Sequence, residues 1–168
     1  TGSGTFTLEA PATSTNRTLT LPDEAGTIDT LSRAGNVLQV VSANTTTSVP
    51  TTSTSFVTTS FSASITPTSA TSKIFIIVAG GVLRTSTTNQ AYLTIYRDAT
   101  NIGNATRGLY QVYSAGGSTD FPISISAYDA PATTSATAYT LYLRTSSGTS
   151  TFEVDAAICT LTLMEIAA

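Results

Sequence analysis

The sequence predicts an all-β fold, an antiparallel sandwich, on three observations. Thr supplies about a fifth of the 168 residues and charged residues only 10%, against about 25% charged in an average domain. Thr is β-branched, fits a pleated half-buried surface and can turn its hydroxyl to water, so Thr in place of Lys and Glu marks strand surfaces. Second, beyond Gly35-Asn36 short apolar runs recur between clusters of Gly, Pro, Asn, Ser and Thr, at the spacing of a sandwich or barrel. Third, no stretch of useful length carries the helical repeat of apolar positions. An apolar content of 40% is too high for a disordered chain, and a chain of this size buries roughly 70% of its unfolded surface. One main domain over residues 36–168 is expected, preceded by a segment of different character over 1–35.

Eight strands are expected in order, over 37–42, 55–65, 73–84, 91–98, 109–114, 121–128, 138–145 and 151–166. Between the first two, the stretch NTTTSVPTTS at 44–53 reads as a mobile loop or an edge. Residues 73–79, KIFIIVA, are apolar on both faces, and the Gly80-Gly81 that follows reads as a bulge or a close backbone approach. In 91–98, Leu93 and Ile95 point one way and Tyr92, Thr94 and Tyr96 the other, a core face against a tyrosine-rich face. Gly116-Gly117 lacks the strand-to-helix context of a phosphate loop and reads as a hairpin tip. In 121–128, Phe121, Ile123, Ile125 and Ala127 oppose Ser124, Ser126 and Tyr128, so that strand can face solvent. The last run is again apolar on both faces over 158–164, ICTLTLM. Such strands in an antiparallel protein have both faces covered. With no helix to form another layer, a neighbouring subunit is the simpler cover.

Composition excludes several chemistries. There is no histidine, which removes His-dependent triads and the common zinc sites and leaves carboxylate, lysine or tyrosine chemistry. Seven basic residues against ten acidic ones, scattered singly, make nucleic acid an unexpected partner, because phosphate binding needs clustered Lys and Arg. No apolar run approaches the ~20 residues of a membrane span, so no membrane insertion is expected. The single cysteine, Cys159, rules out an intrachain disulfide and is expected as a buried thiol. Glu153 and Asp155 project to one face of a strand and admit a paired-carboxylate hydrolase; a subunit seam bearing two acids paired with Arg84 or Arg144 is the stronger reading. Asp98, Asn101 and Asn104 lack the spacing and carboxylate count of a calcium loop. No catalytic residue, metal or cofactor is expected.

The N-terminal 35 residues carry two weak echoes, at 4–11 and 17–22, each an alternating strand stopped by proline. A pair of strands so short buries its apolar face only against partners, and identical strands from other chains would supply them as a stalk. Thr1 in place of an initiator Met suggests a fragment or a processed chain.

The segments NRTLTLPDEAGTIDTLSRAGNVLQVV, TTSTSFVTTSFSASITPTSATSKIFIIV and CTLTLMEIA resemble the C-terminal part of tail-fibre and related virion proteins of tailed bacteriophages, particularly those of aquatic hosts. The most specific elements are LTLPDEAGTI and SITPTSATSKIFI. The resemblance implies a homotrimer whose head is a jelly roll similar to the C1q and tumour-necrosis-factor modules, preceded by an extended β stalk, with the final strand near the threefold axis. Trimer contacts are accordingly expected from Leu161 and Leu163, with Tyr92, Tyr96 and Tyr142 lining the axis. The implied place is a tail fibre or other external appendage of the virion, joined to other virion proteins through the N-terminus and contacting a host-surface glycan or protein. Loops on a sandwich are where binding residues gather, and Asn101, Asn104, Arg107, Tyr110, Tyr113 and Asp120 supply the rings and planar polar groups that sugar recognition needs. The alternatives are a capsid decoration, head fibre or adaptor with no receptor role, a glycan-degrading tip, and a cellular C1q-like adhesion module.

Overall fold

The computed structural model describes residues 33–168 apart from 87 and 153–155, together with 4, 5, 7, 14 and 15. The segment 1–35 read as a stalk lies almost wholly outside the described residues, as do Glu153 and Asp155. Eleven strands follow one another: β1 (Val37–Thr45), β2 (Val49–Thr51), β3 (Val57–Ile65), β4 (Lys73–Thr85), β5 (Asn89–Arg97), β6 (Thr100–Asn101), β7 (Tyr110–Ser114), β8 (Thr119–Asp129), β9 (Thr137–Thr145), β10 (Ser150–Phe152) and β11 (Cys159–Ile166). The protein is all-β, with no helix among the described residues.

Two antiparallel sheets make a sandwich-like arrangement. In the first, β8 runs along one side of β4 over residues 74–85, while β11 and then β10 take the other side, over 73–80 and 83–85. β1 lies outside β11, and β2 outside β10. β4 shifts register between Ala79 and Val82, where its neighbour changes from β11 to β10. Gly80 and Gly81 take φ of 85° and 68° there, and a Cβ on Gly80 would strike the Ile158 carbonyl oxygen. The bulge expected at this dipeptide thus needs glycine on backbone grounds. The second sheet has the order β3-β9-β5-β7, with β6 continuing along the β7 side of β5.

The expected single strand over 151–166 divides into β10 and β11, which pair with successive parts of β4. β2 forms an edge inside the Thr-rich stretch at 44–53. Alternation separates the faces as read: Ile123 and Ile125 are buried while Ser124, Ser126 and Tyr128 are exposed. Between the sheets lie Phe61, Ile65, Ile74, Ile76, Val78, Leu83, Leu93, Ile95, Leu141, Leu143, Phe152, Cys159, Leu161 and Leu163, all nearly or fully buried. Each such large aliphatic or aromatic side chain contributes about 1.5–3 kcal/mol.

Polar groups close the two ends of this core. Residues 35–36 and 167 meet at one end of the sandwich, where the Gly35 N–H donates to Ala167 O at 2.8 Å and the Ala167 N–H to Asn36 O at 2.9 Å. Beside them Glu165, fully buried, accepts from Gln39 Nε2 at 2.6 Å, from the Thr68 N–H at 2.7 Å and from Thr68 Oγ1 at 2.8 Å. Burial alone pushes this carboxyl up, and the donors outweigh it, so its pKa lies below the usual value. The buried Ser72 hydroxyl faces it without meeting hydrogen-bond geometry. At the same end Arg97 of one sheet pairs with Asp129 of the other at 2.8 Å, and the buried Tyr139 hydroxyl donates to Asp129 Oδ2 at 2.7 Å. The far end is tied by Asn89, whose Oδ1 accepts from Thr145 Oγ1, Ser146 Oγ and the Ser147 N–H at 2.9–3.1 Å.

Candidate binding face

The outward side chains of the second sheet assemble a ladder of rings, amides and guanidinium groups. In β5, Leu93 points inward, so Tyr92 points out, opposite Gln111 of β7 on one side and Arg144 of β9 on the other. The Arg144 guanidinium lies 4.2 Å from the Tyr92 ring centroid and 5.5 Å from that of Phe56, a cation over two aromatic rings. Its Nη1 donates to Thr54 O at 2.8 Å, while its Nε–H is buried with no acceptor. The Tyr92 hydroxyl donates to Gln90 Oε1, which also accepts from Gln111 Nε2 at 3.1 Å. Gln111 Oε1 in turn accepts from Arg107 Nη1 at 2.9 Å. Next to this ladder Tyr96 and Tyr142 stack with centroids 3.9 Å apart.

The segment between β5 and β7 lies against this face and positions Arg107. Asn101 Oδ1 accepts from Thr94 Oγ1 at 2.6 Å and from the Gly103 N–H at 2.9 Å. Asn104 Oδ1 accepts from the N–H groups of Thr106 and Arg107 at 2.9 and 2.8 Å, an Asx turn. Gly108, at φ 68°, passes so close to the Leu93 carbonyl oxygen that a Cβ would collide with it.

The six residues expected to touch a receptor are thus dispersed. Arg107 and Tyr113, the latter 53% exposed, share the outer face of the second sheet. Asn101 and Asn104 lie in the same segment with their side-chain oxygens committed to holding it. Tyr110 is half-buried, and its hydroxyl donates to Pro122 O at 2.7 Å, tying β7 to β8; burial pushes its pKa up. Asp120 belongs to the other sheet, where Arg84 Nε and Nη2 grip it at 2.6 and 2.8 Å. The hydrogen bond from Arg84 holds its carboxyl below the usual carboxylate range.

The five residues expected at a trimer seam divide as well. Tyr92, Tyr96 and Tyr142 face outward from the second sheet, whereas Leu161 and Leu163 are enclosed by their own chain at 1% and 0% exposure. No single surface holds all five. In β11 the outward positions are Thr160, Thr162, Met164 and Ile166. Sequence reasoning missed Gln90, Gln111 and Phe56, and named Arg144 only as a partner for acids at a subunit seam. The β5–β7 and β5–β9 registers bring Gln111 and Arg144 to Tyr92, residues far apart along the chain.

Among the described residues, no three His, Cys, Asp or Glu side chains gather into a group that would hold a metal. No protein-family model matches the chain, and no curated protein matches it.

Proposed function

We propose that this chain is the head of a trimeric virion fibre of a tailed bacteriophage, a C1q/TNF-like jelly roll whose tip attaches the particle to the host cell surface. The observation that carries this reading is the outer face of the first sheet. Val40, Met164, Phe75 and Tyr128 are successive cross-strand partners on β1, β11, β4 and β8, and Ile77 adjoins them on β4. Val40 is 56% and Tyr128 59% exposed, and the Phe75 and Tyr128 rings lie 5.1 Å apart. In a lone chain this apolar stripe faces water, and copies turned about a common axis bury it. The seam in this reading follows the stripe, and the tyrosines Tyr92, Tyr96 and Tyr142 remain outside it.

Strand order supports the jelly roll: β1, β11, β4 and β8 lie in one sheet and β3, β9, β5 and β7 in the other, so strands from both halves of the chain interleave in each. The chain enters and leaves at one end, which leaves the far end and the second sheet free to meet a surface while residues 1–35 lead toward other virion proteins. Light scattering over a dilution series is expected to give a concentration-independent mass near three times 17.3 kDa. The purified chain is expected to bind bacterial cells and block virus adsorption to them. A stable monomer overturns the trimer, and a chain that does neither overturns the attachment role.

A further inference from the structure

We propose that the outer face of the second sheet binds an acidic saccharide, with Arg107 and Arg144 each taking an anionic group and Tyr113 a sugar ring. This rests on the attachment reading and names the ligand that reading leaves open.

Donors and positive charges outnumber their partners on this surface. The chain has ten acids to seven bases, and two of its arginines in the head are matched, Arg84 to Asp120 and Arg97 to Asp129. Among the described residues Arg107 and Arg144 meet no carboxylate, and both stand on this face. Gln111, Tyr92 and Arg144 form one row across three strands, a span of about 10 Å at the usual strand spacing, with Arg107 bonded to the Gln111 end. The amide acceptors on the ladder are engaged within it: Gln90 Oε1 takes two donors and Gln111 Oε1 takes Arg107. Donors are left over, namely the Gln90 amide N–H groups and four of the five N–H groups of Arg107, while Arg144, partly exposed, adds its charge to the face.

A surface with rigid unmatched donors and two uncompensated cations selects a ligand rich in acceptors and carrying negative charge. Guanidinium takes carboxylate or sulfate in a two-point hydrogen bond. Tyr113, the cross-strand partner of Gln90 and 53% exposed, offers the flat apolar surface on which a sugar ring lies. Two arginines in an acidic chain are too few for the backbone of a nucleic acid, whose binding needs many neutralised phosphates.

Titration calorimetry of the full chain tests this with four probes of matched length: a polygalacturonate oligosaccharide, a dextran sulfate oligosaccharide, a neutral maltooligosaccharide and a single-stranded oligodeoxynucleotide. Binding to bacterial cells is measured in parallel. Saturable binding of an acidic oligosaccharide is expected, weakening as salt is raised, and the probe that binds distinguishes carboxylate from sulfate. Arg107→Ala is expected to weaken it about tenfold or more, the worth of one charge-assisted hydrogen bond, with Arg107→Lys losing less and Tyr113→Ala also weakening it. Arg107 and Tyr113 are exposed, so both positions tolerate change without loss of fold. The inference is overturned if neither acidic oligosaccharide binds saturably, if Arg107→Ala leaves binding unchanged, or if the oligonucleotide binds more tightly. Cells still bound under any of those results leave the attachment reading standing and remove only its ligand; binding to neither cells nor acidic saccharide removes both.

Discussion

Replacing Glu165 by Gln is expected to destabilise the sandwich at neutral pH and to remove part of its acid sensitivity. Glu165 is fully buried and among the described residues is met by three neutral donors, Gln39 Nε2, the Thr68 N–H and Thr68 Oγ1. Gln keeps the size but presents an N–H₂ group where at least one of those donors already points. One orphaned buried donor costs about 1–3 kcal/mol, and the bonds that remain lose their charge assistance, which brings the total to about 2–4 kcal/mol. At about 2–4 °C per kcal/mol for a chain of this size, the melting temperature falls by about 5–15 °C. The folded carboxyl titrates below its usual 4.5, so on acidification the unfolded chain takes up the proton first. The stabilisation is therefore complete above about pH 4.5 and is lost as pH falls through the folded value. Thermal unfolding followed by far-UV circular dichroism, at one protein concentration, compares the two proteins at pH 7 and at about pH 3, well below the usual glutamate range. The gap between them is expected to shrink at the lower pH. A variant melting within about 2 °C of the parent at pH 7, or a gap of equal size at both pH values, would refute the reasoning.

Three further outcomes are expected. Val40→Arg, at a position 56% exposed in the single chain, should leave the circular dichroism spectrum intact but drop the light-scattering mass toward 17.3 kDa, since a charge buried unpaired in a seam costs several kcal/mol; an unchanged mass moves the seam elsewhere. Gly108→Ala combines a positive φ with a clash against the Leu93 carbonyl oxygen and should destabilise by about 1–3 kcal/mol, read as a lower denaturation midpoint. Tyr139→Phe removes a buried 2.7 Å donor to Asp129 and should cost about 1.5–3 kcal/mol, measured by denaturant unfolding; a neutral result would mean that Arg97 alone satisfies the carboxylate.

What the sequence made legible was whatever period two controls. The faces of β5 and β8, the glycine bulge in β4 and the all-β class follow from alternation and from the special backbone needs of glycine. A run apolar on both faces leaves open which face is inside: Ile74, Ile76 and Val78 proved inward and Phe75 and Ile77 outward, while Leu161 and Leu163, expected at a seam, belong to the chain's own core. Glu165 left a signal that was available, a lone acid at the same parity as Leu161 and Leu163, which a buried position must answer with donors. The ladder left none, because Phe56, Gln90, Gln111 and Arg144 meet only through strand register. Asn101 and Asn104 have the composition of a binding loop, yet their oxygens close turns, and composition alone does not separate those two uses.

The two outer faces also differ in what it would cost to bury them, and this bears on which one serves as the proposed seam. Burying the second sheet would strip water from Arg107 and Arg144, neither of which has a carboxylate to answer it among the described residues, at several kcal/mol for each charge. On the first sheet the charges stand at the margins: Lys73 beside Ile166 at the end where the chain enters, and the Arg84–Asp120 pair near the far end. Between them the outward residues of β11 and β4 are Thr160, Thr162, Met164, Phe75, Ile77 and Ala79, with no charge to desolvate. Association through the first sheet gains the hydrophobic term without the ionic penalty, and it leaves the uncompensated cations facing outward from the proposed trimer. An acidic surface ligand would then meet three copies of the same face around one axis, so modest affinity at each would be multiplied by avidity, provided the ligand spans the copies.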